Sequence, residues 1–160
     1  MSAKTGSKAR RGEQLRGGLY LDSSALAKLY VPEPDSGGLE RVLVGRRDLW
    51  VSDLAVTEVV SAAARRAREG DFDQQAVSRL HAALLDDLSD NSYLHAELSP
   101  EVHREAERLL VGFTGRFLRA ADALHLALAL SVNARTLVTF DRRLAEGVQL
   151  AGLNTFPFTL

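Results

Sequence analysis

The chain has 160 residues and a formal net charge of −1 at pH 7, with 46% apolar and 26% charged residues. This length and composition predict one globular domain with a core of its own, and the overall charge gives no sign of nucleic-acid binding. Cysteine is absent, which excludes disulfides and thiolate metal sites and fits a reducing compartment. No apolar run reaches the roughly 18 residues that a membrane span requires, and the amino terminus lacks the apolar segment of a secretory signal.

Positive charge is concentrated at the amino terminus. Residues 1–18 contain one acidic residue, Glu13, and five basic ones: Lys4, Lys8, Arg10, Arg11 and Arg16. We therefore predict a basic tail over 1–18 and a folded domain over 19–160, beginning after the Gly17–Gly18 pair. The tail is either a solvated, poorly ordered terminus or an arm that holds RNA nonspecifically.

Strand and helix patterns alternate along the folded part. In chain order we predict strand 19–22, helix 23–30, helix 36–45, strand 49–51, helix 53–69, a helix from 71 or 73 to about 88, strand 93–98, a helix from 100 to 112 or 115, helix 119–132, strand 136–140, a short helix after 141 and an edge strand at 155–156. Ser23 or Ser24 and Asp53 are the expected caps of their helices. Short, continuously apolar strands between helices predict a three-layer α/β/α sandwich around a short, mainly parallel sheet.

Four acidic residues lie in apolar surroundings, where an ionised carboxylate is unfavourable without a cationic partner. Asp22 and Asp141 follow apolar strands, whereas Glu58 and Asp122 interrupt apolar helices. In parallel α/β sheets, sites form beyond the carboxyl ends of the strands. We therefore expect the four carboxylates to share a hard divalent cation at that edge.

Simpler interpretations exist for most of these residues. Asp22 and Asp141 are suited to cap the helices that follow their strands, and Arg119 is spaced to form an ion pair with Asp122. Glu58 has no such neighbour. His125, on the same helical face as Asp122, is either a metal ligand or a histidine of the core or its rim.

Basic residues flank the acids in the sequence. The candidates for contacts with a nucleic-acid backbone are Arg65, Arg119 and Arg142. An acidic centre with a basic rim suits a phosphodiester, because the arginines hold phosphates next to the scissile one. The alternative is that these arginines are solvated surface residues.

Four short stretches, each weak alone, together form a fairly specific set: 21–26 (LDSSAL), 57–62 (TEVVSA), 121–127 (ADALHLA) and 138–144 (VTFDRRL). In their order, spacing and predicted context they resemble the PIN domain family, and within it the VapC-type toxins of type II toxin–antitoxin pairs. The resemblance covers about residues 19–156. It implies a PIN-like fold and a cytoplasmic endoribonuclease that hydrolyses RNA with water activated by Mg²⁺ or Mn²⁺.

The resemblance also implies roles for individual residues and partners. The family's acidic metal-binding positions match Asp22, Glu58, Asp122 and Asp141, and its supporting polar positions match Ser24 and Thr139. It implies a homodimer that is neutralised by a cognate antitoxin protein. The predicted helical hairpin over 53–89 has much apolar surface for so small a domain, so we expect it to contribute to dimer or antitoxin contacts.

Two other functions are compatible with the residues. One is a Mg²⁺-dependent phosphatase that acts on small phosphoesters. The other is a non-catalytic RNA- or protein-binding PIN domain whose acidic cluster is vestigial. The presence of all four acids argues against the second.

Overall fold

The structure is a computed structural model, which describes Leu15 and residues 17–31, 36–113 and 118–157. Residues 1–14 and Arg16, most of the predicted basic tail, lie outside the described residues. Within the described part, no helix is both long and apolar enough to cross a membrane.

Strands and helices follow the predicted order. The strands are β1 (Leu19–Leu21), β2 (Leu49–Ser52), β3 (Leu94–Ala96), β4 (Thr136–Val138) and β5 (Asn154–Phe156). The helices are α1 (Ser23–Tyr30), α2 (Ser36–Leu43), α3 (Asp53–Arg68), α4 (Gln74–Ser89), α5 (Pro100–Gly112), α6 (Ala120–Ser131) and α7 (Arg142–Leu150). The predicted alternative end of α5 near Gly115 lies outside the described residues, and the helix ends at Gly112.

The five strands form one parallel sheet in the order β3-β2-β1-β4-β5. Leu19 pairs with Leu49 of β2 on one side and with Thr136 of β4 on the other. The predicted mainly parallel sheet is confirmed and is parallel throughout. Because the chain leaves β1 toward β2 and later returns to the opposite side at β4, the strand order reverses between β1 and β4. Such a switch point is where ligands bind in open α/β sheets.

The central strand is covered on both faces. Leu19 and Leu21 belong to the apolar cluster formed with α1 to α4, whereas Tyr20 belongs to the cluster formed with α5, α6 and α7. All three residues are completely buried. Alternating side chains of a strand point to opposite faces of its sheet, so this burial establishes the predicted three layers.

Two helix caps differ from the prediction. Asp22, not Ser23 or Ser24, caps α1 by accepting a hydrogen bond from the Ala25 amide, as the simpler interpretation of Asp22 predicts. Ser52, not Asp53, caps α3. In both cases the helix follows its strand without a loop, so the residue with extended backbone before the helix takes the capping position.

Candidate active site

Asp22 follows β1 directly and is only 2% exposed. The Ala25 amide donates to Oδ1 over 2.8 Å, and the Thr139 hydroxyl donates to Oδ2 over 2.6 Å. The Ser24 hydroxyl lies 2.7 and 2.9 Å from the two oxygens. These donors are amide and hydroxyl groups, which fix the orientation of the carboxylate without neutralising its charge.

Burial raises the pKa of Asp22 above its usual range, because the ionised carboxylate loses its contact with water. The Thr139 hydrogen bond and the nearby His125 act in the opposite direction but do not reverse the shift. The ionised form of Asp22 is therefore stabilised by a cation that reaches it.

Thr139 links Asp22 to Asp141. Its hydroxyl oxygen accepts a hydrogen bond from the Asp141 amide over 3.0 Å while the hydroxyl proton goes to Asp22. The Ser24 hydroxyl oxygen accepts from the Phe140 amide over 2.8 Å, so the segment after β4 is tied to the start of α1. The Asp141 side chain is exposed and caps α7, where it accepts from the amides of Arg143 and Leu144. Capping is therefore one function of both strand-end aspartates.

Glu58 and His125 form a pair across two helices. His125 Nε2 lies 2.7 Å from Glu58 Oε2, although 67 residues separate them in the sequence. This hydrogen bond lowers the pKa of Glu58, with a smaller contribution from the Ser23 hydroxyl. His125 is 3% exposed and is a core histidine, with its other ring nitrogen, Nδ1, 2.9 Å from the Tyr20 hydroxyl.

The hydrogen-bonded chain continues from His125 into the sheet. The Tyr20 hydroxyl also lies 2.8 Å from the Ser52 hydroxyl, whose oxygen accepts from the Ala55 amide over 3.2 Å. Ser52 and Tyr20 are both completely buried. We refer to Ser52, Tyr20 and His125 as the hydroxyl–imidazole chain, which ends at the Glu58 carboxylate.

Asp122 lies in the first turn of α6, one turn before His125, and is 9% exposed. Its Oδ2 accepts a hydrogen bond from the Arg119 amide over 3.1 Å. The observed contact with Arg119 is therefore a backbone hydrogen bond and not the side-chain ion pair that the spacing favours. A carboxylate in this position is also favoured by the partial positive charge of the helix amino terminus.

The structure thus brings the Asp22 carboxylate and the Asp141 backbone amide together at Thr139, and separately pairs Glu58 with His125, on the helix that carries Asp122. Among the described residues, no three His, Asp or Glu side chains are arranged to hold a metal ion. The donor chemistry fits a hard cation, since all four candidates offer carboxylate oxygens. Uncompensated carboxylates repel one another, so a bound cation would favour a closer approach of these side chains.

The three candidate nucleic-acid contacts are all exposed: Arg65, Arg119 and Arg142. Arg119 precedes α6 and Arg142 begins α7, so each lies beside one of the acids. Arg65 lies two turns along α3 from Glu58. Their guanidinium groups can reach solvent, as contact with a phosphate backbone requires.

Tyr20 and Ser52 were not predicted as site residues. Tyr20 occurs in an apolar strand, where it reads as a core residue, and Ser52 reads as the end of the next strand. The sequence does carry one signal, which is a tyrosine in a strand that is predicted to be buried. A buried tyrosine hydroxyl requires a hydrogen-bond partner, so a polar neighbour is expected there.

The sequence matches the PIN domain family over residues 19–148. It is 34% identical over 137 residues to Ribonuclease VapC46 of Mycobacterium tuberculosis, a match that covers 84% of this chain and 93% of the relative. The family match over residues 19–148 contains all four acids and both supporting hydroxyl residues.

Solved structures show the same fold. VapC20 of Mycobacterium tuberculosis, described as a sarcin-ricin loop cleaving toxin, superposes with a TM-score of 0.65 at 17% identity, covering 85% of this chain and 96% of that one. VapBC2 of Rickettsia felis, solved with a DNA fragment from its promoter, gives a TM-score of 0.60 at 17% identity, covering 86% and 96%. With a family match over most of its length and a relative above 30% identity, the chain belongs to the PIN domain family.

Proposed function

We propose that this protein is a metal-dependent endoribonuclease that acts as the toxin of a toxin–antitoxin pair. The observation that carries the proposal is Asp22, a buried carboxylate at the sheet's switch point that is held by uncharged donors. Family membership and a relative named as a ribonuclease support hydrolysis of RNA as the reaction.

In this proposal Mg²⁺ or Mn²⁺ is held by the four carboxylates, Asp22, Glu58, Asp122 and Asp141. When bound, the ion supplies positive charge for the scissile phosphate and activates water. The hydroxyls of Ser24 and Thr139 keep the oxygens of Asp22 in fixed positions, so this ligand is in place before the cation arrives. The exposed Arg65, Arg119 and Arg142 hold phosphates next to the scissile bond.

A cognate antitoxin and a second copy of the chain are the proposed protein partners, and the cytoplasm is the proposed location. VapBC2, a solved neighbour, is a two-component assembly, which supports an antitoxin. The hairpin of α3 and α4 borders an apolar pocket of about 160 Å³ that includes Val31, Val59 and Phe72. This pocket fits the expectation that the hairpin contributes to a protein interface.

Two alternatives are less well supported. A phosphatase of small phosphoesters would use the same acids, but the relative with the matching sequence is named a ribonuclease. A non-catalytic binding domain would not require an uncompensated buried carboxylate such as Asp22, which costs free energy.

The test incubates the purified protein with total cellular RNA and, separately, with p-nitrophenyl phosphate, each in EDTA, Mg²⁺ or Mn²⁺. We expect internal RNA cleavage that requires the metal, and no hydrolysis of the small phosphoester. Asp22→Asn should be inactive, whereas Asp86→Asn, the same change at an exposed position of α4, should be fully active. Hydrolysis of the phosphoester alone would indicate a phosphatase, and no turnover of either would indicate a binding domain.

A further inference from the structure

The hydroxyl–imidazole chain ends on Glu58 and begins at a fixed backbone amide. The Ala55 amide donates to Ser52, Ser52 lies against Tyr20, and Tyr20 lies against His125. Each member comes from a different element: Ser52 ends β2, Tyr20 lies in β1 and His125 lies in α6. A side chain on the rim of the site is thus connected to the centre of the sheet.

The direction of the protons follows from the two ends. The Tyr20 hydroxyl keeps its proton near neutral pH, as tyrosine hydroxyls ordinarily do. The Glu58 carboxylate can only accept, so the proton between it and His125 belongs to Nε2. Neutral His125 then accepts at Nδ1 from the Tyr20 hydroxyl, and Tyr20 in turn accepts from Ser52. Every hydrogen-bonding group in the chain is satisfied by this single direction.

We infer that Tyr20 and His125 are positioning residues. Tyr20 holds His125 as the Nε2–H tautomer, and His125 in this form aims the Glu58 carboxylate. This inference rests on the proposed function insofar as Glu58 serves a metal ion. It excludes His125 as a metal ligand, because both of its ring nitrogens are engaged. Partners of this kind orient the groups that contact a metal, and their loss typically weakens metal binding by about 10–100-fold.

The first experiment determines the tautomer in the metal-free protein by ¹⁵N–¹H correlation spectra of the imidazoles. At about pH 8 an ordinary histidine is neutral. The chain has four histidines, so the His125 signals are assigned by their loss in His125→Gln. We expect the Nε2–H form, and an Nδ1–H form would overturn the inference. This readout does not depend on metal binding or on RNA.

The second experiment measures Mn²⁺ affinity by calorimetry for the wild type, Tyr20→Phe and Tyr30→Phe. Tyr30→Phe is the matched control. It removes a partly buried hydroxyl of α1 that contacts Asp87 of α4, away from the hydroxyl–imidazole chain. We expect about tenfold weaker binding for Tyr20→Phe and unchanged binding for Tyr30→Phe. Equal affinities of a folded Tyr20→Phe and the wild type would overturn the inference.

The two experiments separate this inference from the proposed function. If the wild type itself binds no Mn²⁺, the metal part of the proposed function is wrong, and the tautomer still decides whether the chain orients His125. If Tyr20→Phe does not fold, the wild-type tautomer decides in the same way.

Discussion

Asp22 and Glu58 are both carboxylates of the candidate active site, but their partners differ in chemical kind and in sequence distance. Asp22 is almost completely buried and is held by the Ala25 amide and two hydroxyls that lie near it at the sheet edge. Glu58 is partly exposed and is paired with the His125 imidazole, whose Nε2 lies 2.7 Å from Glu58 Oε2. Their pKa values accordingly shift in opposite directions, up for Asp22 and down for Glu58.

This difference shows that the orientation of a carboxylate and the stabilisation of its charge are separate properties. Hydroxyl and amide donors fix the direction of the Asp22 oxygens but leave its charge uncompensated, whereas His125 both orients Glu58 and favours its ionised form. A bound cation should therefore stabilise the folded protein more through Asp22 than through Glu58.

The largest expected effect is on catalysis. Asp22→Asn should lower RNA cleavage in Mg²⁺ by more than about 100-fold, since changes to groups that merely support a metal site already cost about 10–100-fold. Glu58→Gln should cost less, because the side chain is partly exposed and its pairing with His125 is not tied to the ion. Single-turnover rates on one defined RNA measure both losses. A greater loss for Glu58→Gln would reverse the proposed order.

Thr139→Val tests the support of Asp22 without changing any charge. The substitution keeps the shape but removes a donor to Asp22 and an acceptor for the Asp141 amide. Leaving buried polar groups without partners should cost about 1–3 kcal/mol of unfolding free energy, measured in urea. Thr57→Val makes the same change at an exposed position of α3 and should stay within about 0.5 kcal/mol. Equal effects of the two variants would show that Thr139 does not support Asp22.

The opposite pKa shifts predict opposite effects on the melting temperature in chelator at pH 7. The folded pKa of Asp22 is raised, so its contribution to stability is complete below the unfolded pKa and is lost as pH rises through the folded pKa. Asp22→Asn removes the ionised group and should melt about 4 °C higher, roughly 1 kcal/mol for a domain of this size. The folded pKa of Glu58 is lowered, so its contribution is present above the unfolded pKa and is lost as pH falls through the folded pKa. Glu58→Gln should therefore melt lower.

The pH series supplies the control for this prediction. The differences in melting temperature between each variant and the wild type should both shrink as the pH falls. The difference for Asp22→Asn should shrink at a higher pH than that for Glu58→Gln, because the Asp22 carboxyl group protonates first. The Glu58 effect should be the smaller one, since solvent screens a partly exposed pair. Shifts of the same sign at pH 7 would contradict the comparison.

The same asymmetry shows what the sequence could and could not predict. Local patterns were sufficient for the sheet, because β1 is a continuous apolar run, and for Asp22, because a strand-end acid is recognisable by its neighbours. The partner of Glu58 was not predictable, since His125 lies 67 residues from Glu58, and Tyr20, which contacts His125, lies 105 residues from His125. The caps of α1 and α3 lie one or two residues before the expected positions, because sequence patterns do not show where extended backbone ends.

The smallest expected effect concerns Asp122, whose observed hydrogen bond to the Arg119 amide is structural. In Asp122→Asn the side-chain carbonyl can keep that bond, and the lost charge at the start of α6 should cost only about 0.3–1 kcal/mol in chelator. If Asp122 is also a metal ligand, the extra stabilisation that Mn²⁺ gives by binding the folded state should fall. Glu101→Gln is the matched control, because Glu101 is an exposed acid in the first turn of α5. Thermal unfolding of both variants in EDTA and in millimolar Mn²⁺ separates the two roles. If Asp122→Asn responds to Mn²⁺ as fully as Glu101→Gln does, Asp122 only stabilises the start of α6, and the cation is held by the other three acids.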